Sequence, residues 1–179
     1  MTQKGAPMVG DQAKMSVTVA VDQADAFRIF TEEIDQWWRR GLRYRVAGAR
    51  RSVLVLEPRL GGRLFEAFED DAGSQAADES SRRVVETGRV TVWCPPSRLV
   101  FEWRSVAFAP SEKTEVEVTF EPAAKGTLVT VVHRGWSHIR PDHPARHGME
   151  VPAFIRTMGL WWADLGTAFR EHVQADFTS

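Results

Sequence analysis

AFIRTMGLWWADLGTAFREHVQ, residues 153–174, contains no proline and sets Phe154, Met158, Trp161, Leu165, Phe169 and Val173 at steps of three and four. That spacing is the apolar stripe of an amphipathic helix of about six turns. Trp161 and Trp162 stand about 100° apart on such a helix, so Trp161 joins the stripe and Trp162 is expected at its edge. A stripe this long has to be buried, and the chain before it supplies the surface. In Glu115-Val116-Glu117-Val118-Thr119-Phe120 the alternation puts Val116, Val118 and Phe120 on a core face and the acids in water.

Working outward, the same period of two predicts strands at Val84–Trp93, Leu99–Arg104 and Thr127–His133, separated by Pro95-Pro96, a polar link and Pro122. Upstream, Ser52–Leu56 and Arg63–Glu69 flank Gly61-Gly62 as a β-hairpin, and Met15, Val17, Val19 and Val21 mark a first strand. Asp22 caps a short helix over about Ala24–Phe30, and a second piece over Thr31–Trp38 carries Ile34, Trp37 and Trp38. Residues 1–13 read as a disordered tail, and Asp70–Arg83, which has no apolar periodicity, as an exposed hairpin loop. Residues 14–176 then form one domain of α+β class, in which a sheet buries one apolar face.

The 179 residues suffice for a sizeable core without staples. One cysteine, Cys94, cannot close a disulfide within the chain, and a reducing cytoplasm is expected. Cys94 itself reads as a small buried or half-buried residue. A formal net charge of −1 with interspersed signs leaves no footprint for nucleic acid, and no stretch is apolar enough for membrane insertion. Arg39, Arg40, Arg43, Arg45, Arg50 and Arg51 are the local exception: a solvated face, or a patch for a partner or an anion.

Ala26-Phe27-Arg28-Ile29-Phe30-Thr31 leading to Trp37-Trp38, Pro58 through Gly61-Gly62-Arg63 to Phe65-Glu66, Gly88-Arg89-Val90 with Trp93 to Trp103, and Thr114–Phe120 with Thr127–Trp136 follow one another in a telling order. In that order the chain resembles the START-like (SRPBCC, helix-grip) superfamily. Within it, the chain is similar to bacterial homologues of the C-terminal domain of the heat-shock-protein-90 ATPase activator. The resemblance implies a seven-stranded curved antiparallel sheet wrapped around the C-terminal helix, two short helices after strand 1, and a cavity used by many relatives for hydrophobic ligands. It implies no single activity.

Seven tryptophans are many for this length, and aromatics line sites for flat apolar molecules as readily as they fill cores. The expected cavity lining is Trp38, Phe65, Phe68, Trp93, Phe101, Trp103, Val118, His133, Met158, Trp161 and Leu165. His133 shares a strand face with Val129 and Val131; it is either a satisfied structural histidine or a group that orients a ligand or acts as a base. Glu66 and Glu102 lie on strands that could bring it an acid. His138, Asp142, His143 and His147 fit no zinc spacing, so a polar loop is expected there and no metal or cofactor. The first reading is a binder of a small hydrophobic or aromatic molecule. The alternatives are a chaperone-regulating interaction module and a cyclase or hydrolase using His133. Folds with an exposed sheet edge commonly pair as homodimers, but no interface is legible in the residues.

Overall fold

A computed structural model describes residues 11–69, 83–105 and 107–176. Most of the expected tail and the loop 70–82 lie outside the described residues. Gln12 and Ala13, assigned to the tail from sequence, are already strand.

The chain runs β1 (Gln12–Val19), α1 (Gln23–Glu32), α2 (Ile34–Trp37), β2 (Ser52–Leu56), β3 (Arg63–Phe68), β4 (Val84–Cys94), β5 (Arg98–Trp103), β6 (Thr114–Ala123), β7 (Gly126–Arg134) and α3 (Val151–Asp176). All strand pairs are antiparallel, in the order β1-β7-β6-β5-β4-β3-β2. Register shifts at Leu64/Phe65 and at Val90/Val92 add twist where the sheet curls into a half-barrel. The helix-grip arrangement expected from the resemblance is therefore present.

Two boundaries differ from the sequence reading for simple reasons. β6 runs through Pro122 because its pairing with β5 ends at Thr119, so the missing N–H faces no strand. α3 includes Pro152, since a proline in the first turn removes a donor that has no helical partner.

The local chemistry of the short helices follows expectation at the start and departs at the end. Asp22 caps α1 by accepting from the Asp25 N–H at 2.9 Å. The carbonyls around α2 are satisfied by the Arg45 guanidinium, which donates to the C=O groups of Asp35, Trp38 and Arg39 and to Asp35 Oδ1 at 2.7 Å. Arg45 is only 4% exposed, so it does not belong to a solvated face. Asp35 also accepts from the Leu54 N–H, and Arg40 donates to the Ser52 carbonyl. Together these two side chains occupy the outer edge of β2, which would otherwise be open to pairing.

α3 lies across the concave face of the sheet and packs closely on β1: a Cβ at Gly166 would meet Met15 Sδ at 2.7 Å. Phe169 sets its ring against Phe30 at 5.4 Å and Trp37 at 5.1 Å, joining α3 to both short helices. The space left among Met15, Val17, Phe30, Trp37, Trp162 and Gly166 is too small to admit a water. A second apolar cluster of Phe108, Trp136, Ile139 and Phe154 closes the end of the sheet beside the start of α3. No helix among the described residues is long and apolar enough to cross a membrane. Phe169→Ala is expected to lower stability by about 3–5 kcal/mol, as read by urea denaturation, because a buried aromatic is removed from a junction of three helices.

Candidate functional site

The concave face carries one polar chain that crosses the core. Trp162 Nε1 donates to His133 Nδ1 at 3.1 Å, His133 Nε2 meets Thr114 Oγ1 at 2.8 Å, and Thr114 Oγ1 donates to the Trp103 carbonyl at 3.0 Å. An indole N–H only donates, so Nδ1 must be the acceptor and the imidazole proton must sit on Nε2. Every member of the chain then has one consistent role. His133 is fully buried, and burial alone pushes its pKa down to about 3. It is a satisfied structural group with no lone pair free for proton abstraction.

Glu66 is the other buried polar centre, 2% exposed. Its carboxylate accepts from the N–H groups of Val46 and Ala47 and from Ser52 Oγ, at 2.7, 3.2 and 2.6 Å. It anchors the segment 39–51 onto β3 and is not the partner of His133. Glu102 pairs with Lys113 in the exposed rim. The sequence-level idea of a His–Glu pair is thus not assembled by the fold.

Beside this core lies a cluster of aromatics that keeps part of its surface open. Trp38, 2% exposed, is stacked on Trp103 at 5.9 Å and meets Trp161 edge-on at 5.6 Å. Trp103 and Trp161 pack together at 6.0 Å, and Tyr44 stacks on Trp161 at 5.8 Å. Trp103, Trp161, Tyr44 and Met158 are half-buried and pack against the main core. Their polar atoms are mostly committed: Trp161 Nε1 donates to the Arg43 carbonyl, and Tyr44 donates to Asp164, which Arg39 also pairs at 2.9 Å. Burial, then the bond to Asp164, raises the Tyr44 pKa and keeps the phenol neutral.

Residues 20–151 match the family described as Activator of Hsp90 ATPase homolog 1-like protein. The chain belongs to this family. Its structural neighbours share the fold at low identity. Protein NE0264 from Nitrosomonas europaea is 15% identical with a TM-score of 0.60, over 96% of this chain and 99% of that one. Protein SA2116 from Staphylococcus aureus, described as of unknown function, is 13% identical with a TM-score of 0.63, over 94% and 96%. ChR145 from Cytophaga hutchinsonii is 10% identical with a TM-score of 0.61, over 98% and 100%. Among curated proteins no sequence match is found.

Within this Hsp90-activator-like domain the expected lining residues divide. Trp38, Trp103 and Trp161 gather at the aromatic cluster, with His133 in the wall beside Trp103, while half-buried Met158 packs against both apolar clusters of the core. Phe101, Val118 and Leu165 are fully buried core. Phe65 falls on the opposite face of β3 from buried Leu64, Glu66 and Phe68, with Arg63 over its ring at 4.7 Å. Phe68 is held between Arg50 and Arg83 near the sheet edge, and Trp93 packs on Phe27 of α1.

Other expectations are corrected as well. Trp162, 1% exposed, takes the inner position and Trp161 the edge, the reverse of the sequence assignment. Cys94 is exposed, at the end of β4. The 138–147 segment, expected to be a polar loop, buries Ile139, His143 and Arg146, and His143 Nε2 donates to the Ala107 carbonyl while Nδ1 accepts from the Ala145 N–H, which engages both ring nitrogens. Tyr44 was not singled out from sequence, because its stacking on Trp161 spans more than a hundred residues and leaves no local pattern.

The His133 chain carries a signed pH dependence. In the unfolded chain the imidazole titrates near 6.5, whereas in the fold it stays neutral to about pH 3. Below about pH 6.5 the unfolded state binds a proton that the folded state does not, so stability is complete above that pH and falls as the pH drops. Between about pH 7.5 and about pH 5 this group is expected to cost about 2 kcal/mol, measured by urea denaturation at each pH. His133→Gln, which can still accept from Trp162 and donate to Thr114 without titrating, should flatten that part of the slope.

Proposed function

We propose that this protein binds a small apolar or aromatic molecule at the mouth formed by Tyr44, Trp103 and Trp161 over Trp38. The observation that supports this reading is the partial exposure of these rings, in edge-on and stacked arrangement with a fully buried tryptophan. The deep interior between α3 and β1 is closed to water, so room for a ligand belongs at the mouth. Part of each of the rings Tyr44, Trp103 and Trp161 reaches the surface there, while the polar atoms of Tyr44 and Trp161 are engaged within the protein. That combination favours a flat apolar surface over a polar one. The Trp103 N–H has no acceptor among the described residues and offers one donor to a ligand carbonyl or hydroxyl.

The role is read as binding without turnover, because the imidazole nearest the mouth has both nitrogens committed. A cytoplasmic place accords with the single cysteine. The test combines native mass spectrometry of the purified protein, chemical analysis of what denaturation releases, and titration with the neutral probe N-phenyl-1-naphthylamine. Saturable probe binding is expected, weakened about tenfold by Trp161→Ala through loss of one aromatic wall. Trp93→Phe, on the α1 side, should leave it unchanged. An empty protein that ignores the probe, or equal affinity in the Trp161 variant, would remove this reading. The chaperone-regulating role carried by the family's description would then take its place.

A further inference from the structure

The segment 39–51 faces the aromatic mouth on one side and, on the other, a groove of about 500 Å³ beside the β2 edge. Arg40, Arg50 and Arg51 line this groove, together with Gly41, Gly48 and Ser52. Its volume falls in the range of small-molecule sites, and it is much larger than a single phosphate needs.

The charges in the groove are unevenly matched. Asp35 is committed to buried Arg45 and to Arg40, and Glu69 is the second carboxylate of the lining, so three arginines face two acids of which one is already paired. Arg50 and Arg51 are exposed and have no carboxylate within ion-pair distance among the described residues. Elsewhere Arg59, Arg63, Arg89, Arg98 and Arg134 each hold a glutamate; Arg43, Arg156 and Arg170 share the lack of an ion pair among the described residues, but only Arg50 and Arg51 combine it with a place in the groove wall.

The geometry of Arg40 and Arg50 is also fixed in advance. Arg50 rests over the Phe68 ring at 4.8 Å, and Arg40 is tied to Asp35 and to the Ser52 carbonyl at 3.2 and 3.1 Å. Glu66 and Arg45 pin the backbone between them from below. Gly41, at φ +102°, leaves open space where a side chain would project. Side-chain ordering is a main cost of binding, and a preset guanidinium avoids much of it.

We propose that this groove is a second binding site, distinct from the aromatic mouth, for a small polyanion bearing several phosphate or carboxylate oxygens. Arg50 and Arg51 are its principal donors, engaging oxyanions through bidentate hydrogen bonds. With a formal net charge of −1, the whole molecule exerts no general pull on anions, so affinity has to come from this local arrangement.

The test is calorimetric titration of the full chain at low ionic strength with inorganic pyrophosphate in one arm and citrate in the other; the tighter arm distinguishes a phosphate from a carboxylate ligand. Saturable binding of one equivalent is expected in at least one arm. The double variant Arg50→Ala/Arg51→Ala should weaken it by about a hundredfold, roughly tenfold for each guanidinium removed from the anion. Arg156→Ala/Arg170→Ala, two exposed arginines of α3, makes the same change in net charge and should leave the affinity intact. Thermal melting of both variants checks that the fold persists. Absence of saturable binding in both arms, or equal weakening by the two double variants, would overturn the proposal, the latter by showing diffuse charge attraction only.

Discussion

The hydrogen-bonded line from Trp162 through His133 and Thr114 to the Trp103 carbonyl holds the helix to three strands at once. His133 lies opposite Val116 and Thr114 opposite Trp103, so each bond steps from one strand to the next across the concave face. Dispersion between apolar side chains has no direction of its own, although close packing such as that of Gly166 on Met15 limits how far α3 can slide. A donor-only indole against a single imidazole lone pair does have one. The line therefore sets the rotation of α3, and with it which of the paired tryptophans faces inward. An interior with such a network has to be fully satisfied, since an unpaired polar group in this setting is destabilising.

The same economy of buried polar groups governs the segment between α2 and β2. It has no regular structure long enough to satisfy its own backbone, and two ionic side chains supply the partners. Arg45 takes the free carbonyls around α2, and Glu66 takes the N–H groups of Val46 and Ala47. Held in this way, the segment presents Tyr44 to Trp161 on one side and a row of arginines to solvent on the other. Two surfaces of different chemistry thus depend on one anchored stretch of chain.

The aromatic cluster is where family membership and local geometry meet. The fold supplies a curled sheet and a long helix, which in general host many roles. In this chain the junction of β5, the 39–51 segment and the middle of α3 is occupied by tryptophans that the core does not enclose completely, while the space nearer β1 is packed shut. The open aromatic surface therefore lies at that end of the grip, away from β1.

Local periodicity in the sequence determined the elements themselves. Alternation in Val116–Phe120 and Val129–His133 and the three-four steps from Phe154 to Val173 are properties of neighbouring residues, and the observed strands and helix follow them closely. What periodicity could not decide was phase and partnership. From Met158 a step of three reaches Trp161 and a step of four reaches Trp162, and both continue to Leu165, so only the curvature of the sheet and the lone pair of His133 choose between them. Phe65 and Phe68 lie three apart on a strand and could not both face inward, a choice settled by what covers β3. Arg45 looked like one arginine among six until Asp35 and three carbonyls enclosed it. These outcomes rest on interactions between residues distant along the chain, whose desolvation and hydrogen bonding exist only once the sheet has closed on its helix.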